Sequence, residues 1–497
     1  MRVAWILILT LLAGCTTVRP DAASSPRDRS AIEAALARHI EVLASDDFGG
    51  RQPGTAGEAK TLRYLAREWQ AAGLESGTND PANPWFAPVE LSLSLPGASI
   101  VRFARDGRPV ALPDGGAVVF SSGTRALVQR APVLFVGAAG QQLDRSEVAG
   151  RVALMLWDHP GQVEQHDALL QAGASAVLAI VRDEGELATI IAQRRRGSYR
   201  IAGSDDGAAV DGYLSRGAMA ALVGQDRFDE LVRGAREPDF KPVRLDLSAT
   251  LEATSNPGSV RTFNLIARLP GRRPSAGAVL LLAHWDHFGT CAAPPAPDLI
   301  CNGAVDNASG LAVLTELAKR LAAGPRLDRD VYFLATTAEE WGLLGAQAFA
   351  ENPPVPLDSI VAAFNLDTVA VAPAGSPVAI VGKGLTPLEP GIAQVLAQTG
   401  RKEGDEHIAQ DYVRRQDGWA LLQRDVPAVS VTSAFGQPGP LERYTRERYH
   451  QPSDEAAGIE LGGAADDLLL TQALVRYFAD VQRWPGTAGK SAAAPSG

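Results

Sequence analysis

Basic residues are in deficit in this chain: 47 Lys and Arg face 57 Asp and Glu, for a formal net charge of −10. A protein without a basic surplus has little with which to displace counterions from phosphates, which argues against a nucleic-acid binder. The longest basic run, Arg194-Arg195-Arg196, reads as a solvated surface turn. The apolar run near the start, Val3 to Leu12, is too short to span a bilayer. Cysteine is limited to Cys15, Cys291 and Cys301, and there are only seven histidines. Histidines that cluster with carboxylates therefore carry weight. The rest of the composition is that of a folded soluble protein, 46% hydrophobic and 21% charged. A length of 497 residues exceeds one ordinary domain, so two domains with appendages are expected.

The first fifteen residues form a separate object. Arg2 is a minimal charged region, and Val3–Leu12 has the length of a signal-peptide core. The run ends in Leu12-Ala13-Gly14-Cys15, which resembles the lipobox of bacterial lipoproteins. The resemblance implies a signal over 1–15, with Cys15 lipidated as the new N-terminus. An ordinary cleaved signal with an incidental cysteine is the other reading. Thr16, where an aspartate would retain the protein in the inner membrane, points by the same resemblance to the outer membrane of a Gram-negative envelope. The expected location is thus the cell envelope, with membrane attachment through the lipid. Residues 16–29 read as a flexible tether. In an exported protein Cys291 and Cys301 are expected to pair. Free thiols fit an oxidising compartment less well, and no nearby Cys or His completes a four-ligand zinc set for the pair.

Residues 30–84 predict two helices. Ser30 could cap the first, whose Ile32, Leu36, Ile40 and Leu43 recur at helical spacing. A turn-rich break, Ser45 to Gly57, holds Phe48-Gly49-Gly50-Arg51-Gln52-Pro53-Gly54. The second helix, about 58–72, stops at Gly73, and its Leu62, Leu65, Trp69 stripe reads as core packing. Over 85–252 the texture turns to short strand-like runs. There Gly150-Arg151-Val152-Ala153-Leu154, followed by Gln171-Ala172-Gly173-Ala174-Ser175-Ala176-Val177, resembles a protease-associated (PA) domain. His159 and His166 in this region read as isolated surface histidines. From 253 to 485 strands and helices alternate, the pattern of a mostly parallel sheet covered on both faces. Expected here are strands at 278–283, 331–335, 360–366, 378–381 and 427–432. Helices are expected at 308–322, 342–351, 388–399 and 463–482. Residues 486–497 read as a disordered tail. The fold class is α/β, a mixed, mostly parallel sheet flanked by helices, with an inserted β-rich domain.

Five segments place metal-type side chains at element ends: His284-Trp285-Asp286; Gly303 to Gly310 with Asp306 and Asn307; Thr337 to Gly345 with Glu339 and Glu340; Asn365-Leu366-Asp367; and Tyr449 to Asp454 with His450. A lone carboxylate at a strand end often only caps a helix. Five such segments, two of them supplying histidine from a pool of seven, point to a metal site. Imidazole and carboxylate suit zinc, and two neighbouring cations need an anionic bridge such as a carboxylate. Adjacent glutamates diverge, so one of Glu339 and Glu340 can bind metal while the other faces water.

The order His-x-Asp, Asp-Asn-x-Ser-Gly, Glu-Glu-x-Gly-Leu-x-Gly, Asn-Leu-Asp, His resembles the M28 family of di-zinc metallopeptidases. The resemblance implies two Zn2+ per chain. His284 and Asp367 would hold one, Glu340 and His450 the other, with Asp306 bridging. Glu339 would be the general base. Asp286 would stand behind His284, where it could accept the second ring N–H and fix the tautomer. Asn307 is expected to cap the following helix, and His287 falls outside the implied ligand set, as a loop or pocket-wall residue. Trp285 and Trp341 read as wall or core. Relatives carry a Ser-Asp-His-like stretch where this chain has Gln416-Asp417-Gly418, so a histidine that could polarise the scissile carbonyl is replaced by Gly418. The implied activity is hydrolysis of peptides by an aminopeptidase. A carboxypeptidase or dipeptidase on the same scaffold, a one-zinc glutaminyl cyclase and a non-catalytic receptor-like protein are the alternatives. The presence of His284 and Asp367 counts against the cyclase.

Overall fold

Strand Ala278–His284 is buried at all seven positions, as a continuous apolar run demands when both faces of a sheet are covered. It runs parallel to Asp330–Thr336 on one side and to Ile360–Asn365 on the other. Ala428–Thr432 continues the parallel set, and Ala379–Val381 closes that edge antiparallel. Val279, Leu281 and Ala283 face a core shared with helices Gly310–Ala322 and Gly462–Phe478. Leu280 and Leu282 face Phe349 and Leu421 on the opposite side. Alternate residues thus serve two layers of helices, the arrangement of an α/β fold.

A computed structural model describes residues 26–486, apart from 139–142, 160, 205–208, 238 and 293. The expected signal, Cys15, most of the tether and residues 487–497 lie outside the described residues. The first helix runs Pro26–Leu43, starting inside the stretch expected as tether, and Ser30 is within it rather than at its cap. A proline's fixed φ suits the first turn of a helix, so the start moves upstream. Its Ile32, Leu36, Ile40 and Leu43 are buried as their spacing predicts. Helix Ala56–Ala71 buries Leu62, Leu65 and Trp69, and the indole N–H of Trp69 donates to Thr315 Oγ1 at 3.2 Å. Helix 1 is tied to Gly310–Ala322 by His39, whose Nε2 lies 3.0 Å from Glu316 Oε1.

The segment between these parts builds a second lobe with its own core. Strands Arg125–Gly137, Val152–Leu156, Ala176–Val181 and Val210–Ser215 are parallel in that order, with Ala117–Ser121 antiparallel at the edge. Val152–Leu156 and Ala176–Val181 are buried throughout. The two lobes share one strand, the 27-residue Val243–Leu269. Its first half pairs with Arg125–Gly137 and its last residues with Asp330–Thr336. The 20-residue strand Phe86–Arg105 runs antiparallel along nearly all of it. Among the described residues no helix is long and apolar enough to cross a membrane.

Candidate metal centre

The parallel register brings three strand ends side by side. His284 pairs with Thr336, and Leu282 with Asn365. His284 therefore ends its strand beside the turn that carries Glu339 and Glu340, with Asp367 two residues past the third strand. Asp306 comes from the turn Ala304–Ser309 that opens helix Gly310–Ala322, and His450 from the loop after helix Pro438–Glu447. Several of these positions hold left-handed backbone: Ala338 at φ 51°, Leu343 at φ 62° and His450 at φ 57°. Such conformations cost about 1–3 kcal/mol in non-glycine residues and collect where function requires them. The helix expected from 342 begins only at Leu344, because left-handed residues delay it.

His284 Nε2 lies 3.1 Å from Asp306 Oδ1, 3.6 Å from Asp367 Oδ1 and 3.9 Å from Glu339 Oε2. On the other side of Asp306, its Oδ2 is 3.3 Å from His450 Nε2, which is 3.1 Å from Glu340 Oε2. Asp306 thus offers one oxygen to each side. Two sets, His284 with Asp306 and Asp367, and His287 with Asp306 and Glu340, bring ligand-type atoms within 4.8 Å of one another. Glu339 and Glu340 diverge, the first towards His284 and the second towards His450.

The electrostatics follow from crowding buried charges. Burial opposes ionisation of Asp306, but contacts with His284 and His450 outweigh it and hold the carboxyl well below its usual range. Burial likewise opposes Glu340, which His450 and His287 bring down to about 2. Burial and the neighbouring carboxylates of Asp367 and Asp417 push Glu339 well above the carboxylate range, against the pull of His284. Against burial, Glu340 and Asp306 raise His450 to about 9.

The donor set fits a cation. His450 Nε2, both ring nitrogens of His287 and Glu340 Oε1 are buried and make no hydrogen bond. Buried polar atoms in folded proteins almost always find partners. Here they converge on one another without hydrogen-bond geometry, which is how metal ligands are disposed. The mix of imidazole and carboxylate suits zinc.

Supporting residues lock the turns. The Asp286 carboxylate does not fix the tautomer of His284: it lies 3.9 Å from Nδ1, which instead meets the Asp286 backbone oxygen at 3.2 Å. The carboxylate accepts from the backbone N–H of Glu339 at 3.0 Å and Glu340 at 3.4 Å. It is fully buried, which lifts it to about 7, and it anchors the glutamate turn. Asp454 does the same for Asp306, accepting from the N–H of Val305 and Asp306. Asn307 accepts from the N–H of Gly310, capping the helix as expected. Arg51, fully buried, donates to the carbonyls of Trp285, Leu43, Asn302 and Gly303. Trp285 is core, and Trp341 packs edge-on against Tyr199 and Phe288. Neither His159 nor His166 belongs to a candidate metal set among the described residues. Cys291 and Cys301 form a disulfide whose loop lies between His284 and Asp306.

A pocket opens on the cluster, lined by Asp306, Glu339 and Asp367 together with Tyr412, Arg415, Phe435, Leu441 and Tyr449. Arg415 donates to the Tyr449 hydroxyl at 3.2 Å. Burial, with Asp306 and Glu340 nearby, keeps that phenol protonated by raising it well above its usual range. Sequence reasoning missed Arg51, His287, Arg415, Tyr449 and Asp454 as contributors. Tyr449 and Asp454 lie close in sequence to His450, and Arg51 sits among glycines in the turn-rich break; those positions were the available signals.

Comparison with known proteins bears on the fold. The described fold is that of solved bacterial aminopeptidases. The aminopeptidase from Aneurinibacillus sp. strain AM-1 superposes with a TM-score of 0.57 at 17% identity, over 90% of this chain and 93% of that one. BSAP, a zinc aminopeptidase from Bacillus subtilis, gives 0.50 at 17% identity over 91% and 96%. Residues 264–469, the segment that carries all five ligand motifs, match the model of Peptidase family M28. The chain is 24% identical to the probable lipoprotein aminopeptidase LpqL of Mycobacterium tuberculosis, over 69% of this chain and 60% of LpqL. It therefore spans about three-fifths of that relative. A vacuolar membrane protease of Yarrowia lipolytica is 32% identical over 110 residues, 20% of this chain and 10% of that protein.

Proposed function

We propose that this protein is an exported di-zinc aminopeptidase of the M28 type. The observation that carries the reading is Asp306 between two ligand sets, with Glu339 beside one of them. His284 and Asp367 would hold one zinc and Glu340 and His450 the other, with the Asp306 carboxylate offering one oxygen to each side. Zinc bound there supplies the positive charge that polarises a scissile carbonyl and lowers the pKa of water. Glu339 Oε2 takes the proton from the attacking water and delivers it to the leaving amine. With Gly418 unable to donate, the protonated Tyr449 hydroxyl, oriented by Arg415, is the side-chain donor for the developing oxyanion. Asp286 positions the glutamates by accepting from their backbone N–H groups.

Residues 85–252 would serve as a PA-like inserted domain beside the peptidase domain 253–485, with 30–84 packed on the latter. Lipidation at Cys15 would attach the whole to the outer membrane. LpqL carries the word lipoprotein in its name, in keeping with that assignment.

Glu339→Ala is expected to retain both zincs by elemental analysis and to lose at least about a hundredfold in turnover. Turnover within a few-fold of the unaltered protein would remove Glu339 from the role. One observation favours a second reading, a dipeptidase: Arg415 sets a guanidinium on the pocket, suited to a free carboxylate. Peptides with free and blocked termini, digested and read by mass spectrometry, separate the two. An aminopeptidase ignores C-terminal amidation, and cleavage of N-acetylated peptides would exclude it.

A further inference from the structure

His287 is the histidine that the ligand motifs leave aside, three residues past His284. Its side chain is fully buried. Neither ring nitrogen makes a hydrogen bond, although Nδ1 is in contact with Glu340 Oε1, itself without a hydrogen-bond partner. The ring centroid stands 5.9 Å from that of His450. The ring is wedged in place: a Cβ on Gly303 would fall 2.7 Å from its Cγ and Cδ2, so only glycine, here at φ 59°, lets the Asp306 turn approach so closely. A neutral histidine buried merely as core would find at least one acceptor or donor.

The geometry points to His287 as a fourth protein ligand of the zinc held by Asp306, Glu340 and His450. The inference rests on the metallopeptidase reading and deepens it, because it makes the two metal positions unequal. Four protein donors close a tetrahedral zinc, as in structural sites, whereas three leave a position for water or substrate. The His284 side, with Asp306 and Asp367, is then the open position, and Glu339 lies on that side. The His287 side holds its ion tightly and acts as a fixed charge.

The test uses the protein from Thr16 onward, stripped by chelation and titrated with zinc sulfate alone against a chromophoric chelator. The unaltered protein is expected to bind two zincs with unequal affinities. His287→Ala and His287→Gln are both expected to keep the weaker affinity and to lose more than about tenfold at the tighter one. Glutamine can replace a hydrogen-bond donor but is a poor zinc ligand. Wild-type affinity in His287→Gln, or in both variants, overturns the inference. X-ray absorption on the unaltered di-zinc protein covers the case in which the variants fail to fold. Three imidazoles per two zincs support the inference, and two overturn it. Failure of the unaltered protein to bind zinc at all would instead bring down the metallopeptidase reading.

Discussion

Arg51 is a fixed positive charge sealed beneath a cluster of carboxylates. Burial works against its charge, and the fields of Asp306, Asp286, Asp454 and Glu340 work for it, leaving its pKa at about 10. Its five-donor fork joins four carbonyls from three segments, two of them next to His284 and to the Asp306 turn. Lysine carries the charge but cannot match that planar geometry. Arg51→Lys is expected to leave one or more buried carbonyls unpaired, at about 1–3 kcal/mol each, read as a lower urea midpoint. Unchanged stability would show that the carbonyls find other partners. None of this was legible in the sequence, because the partners of Arg51 lie up to 252 residues away and are backbone atoms. The residues proposed as ligands stood out in the sequence because most of them follow a strand or open a helix, with His450 in a late loop. The work of Asp286 was misread for the same reason as that of Arg51: a carboxylate two residues from a histidine looks like its partner until the fold offers it better-aimed N–H groups.

At the scale of elements, sequence patterning located the five strands and four helices it expected in the peptidase part to within a few residues, because apolar runs and helical spacing are local signals, but it gave no sign of helix Pro438–Glu447 or of the long strand Val243–Leu269. What tertiary contacts decide was less legible, such as the start of the first helix. That helix docks on Gly310–Ala322 through Glu316. Burial would raise this carboxyl, but His39 and Lys319 overcome it and take it from 4.5 to about 2. A folded-state pKa below the unfolded one gives stability that is complete above about pH 4.5 and is lost as pH falls towards 2. Glu316→Gln should therefore lower stability near neutrality, and the gap from the unaltered protein should close as the pH falls from about 5 towards 2. Urea unfolding at several pH values measures it; a gap independent of pH would deny the linkage.

The whole molecule is held together near the site by contacts between its lobes. Tyr199, from the second lobe, lays its ring against Trp341 at 4.8 Å between centroids, next to Glu340. Its hydroxyl accepts from Gln52 Nε2 at 3.1 Å and donates to Pro53 O at 3.4 Å. Tyr199→Ala is expected to cost about 3 kcal/mol and to lower kcat/KM with zinc content unchanged. Full kcat/KM would mean that the second lobe does not shape the site. The disulfide acts on the same side. Closing a ten-residue span is worth about 2–3 kcal/mol by loop entropy, so the double change to alanine at Cys291 and Cys301 should lower Tm measurably.

The shared strand Val243–Leu269 is one covalent piece with three kinds of neighbourhood. Ala249 and Leu251 have a strand on each side, as does Leu265. Ser259 to Thr262, between them, pair along one edge only. Amide exchange with deuterated solvent should therefore be slow in two blocks and faster in the link between them. Each block is bedded in its own core, so the two are expected to open separately in exchange, joined by the link between them.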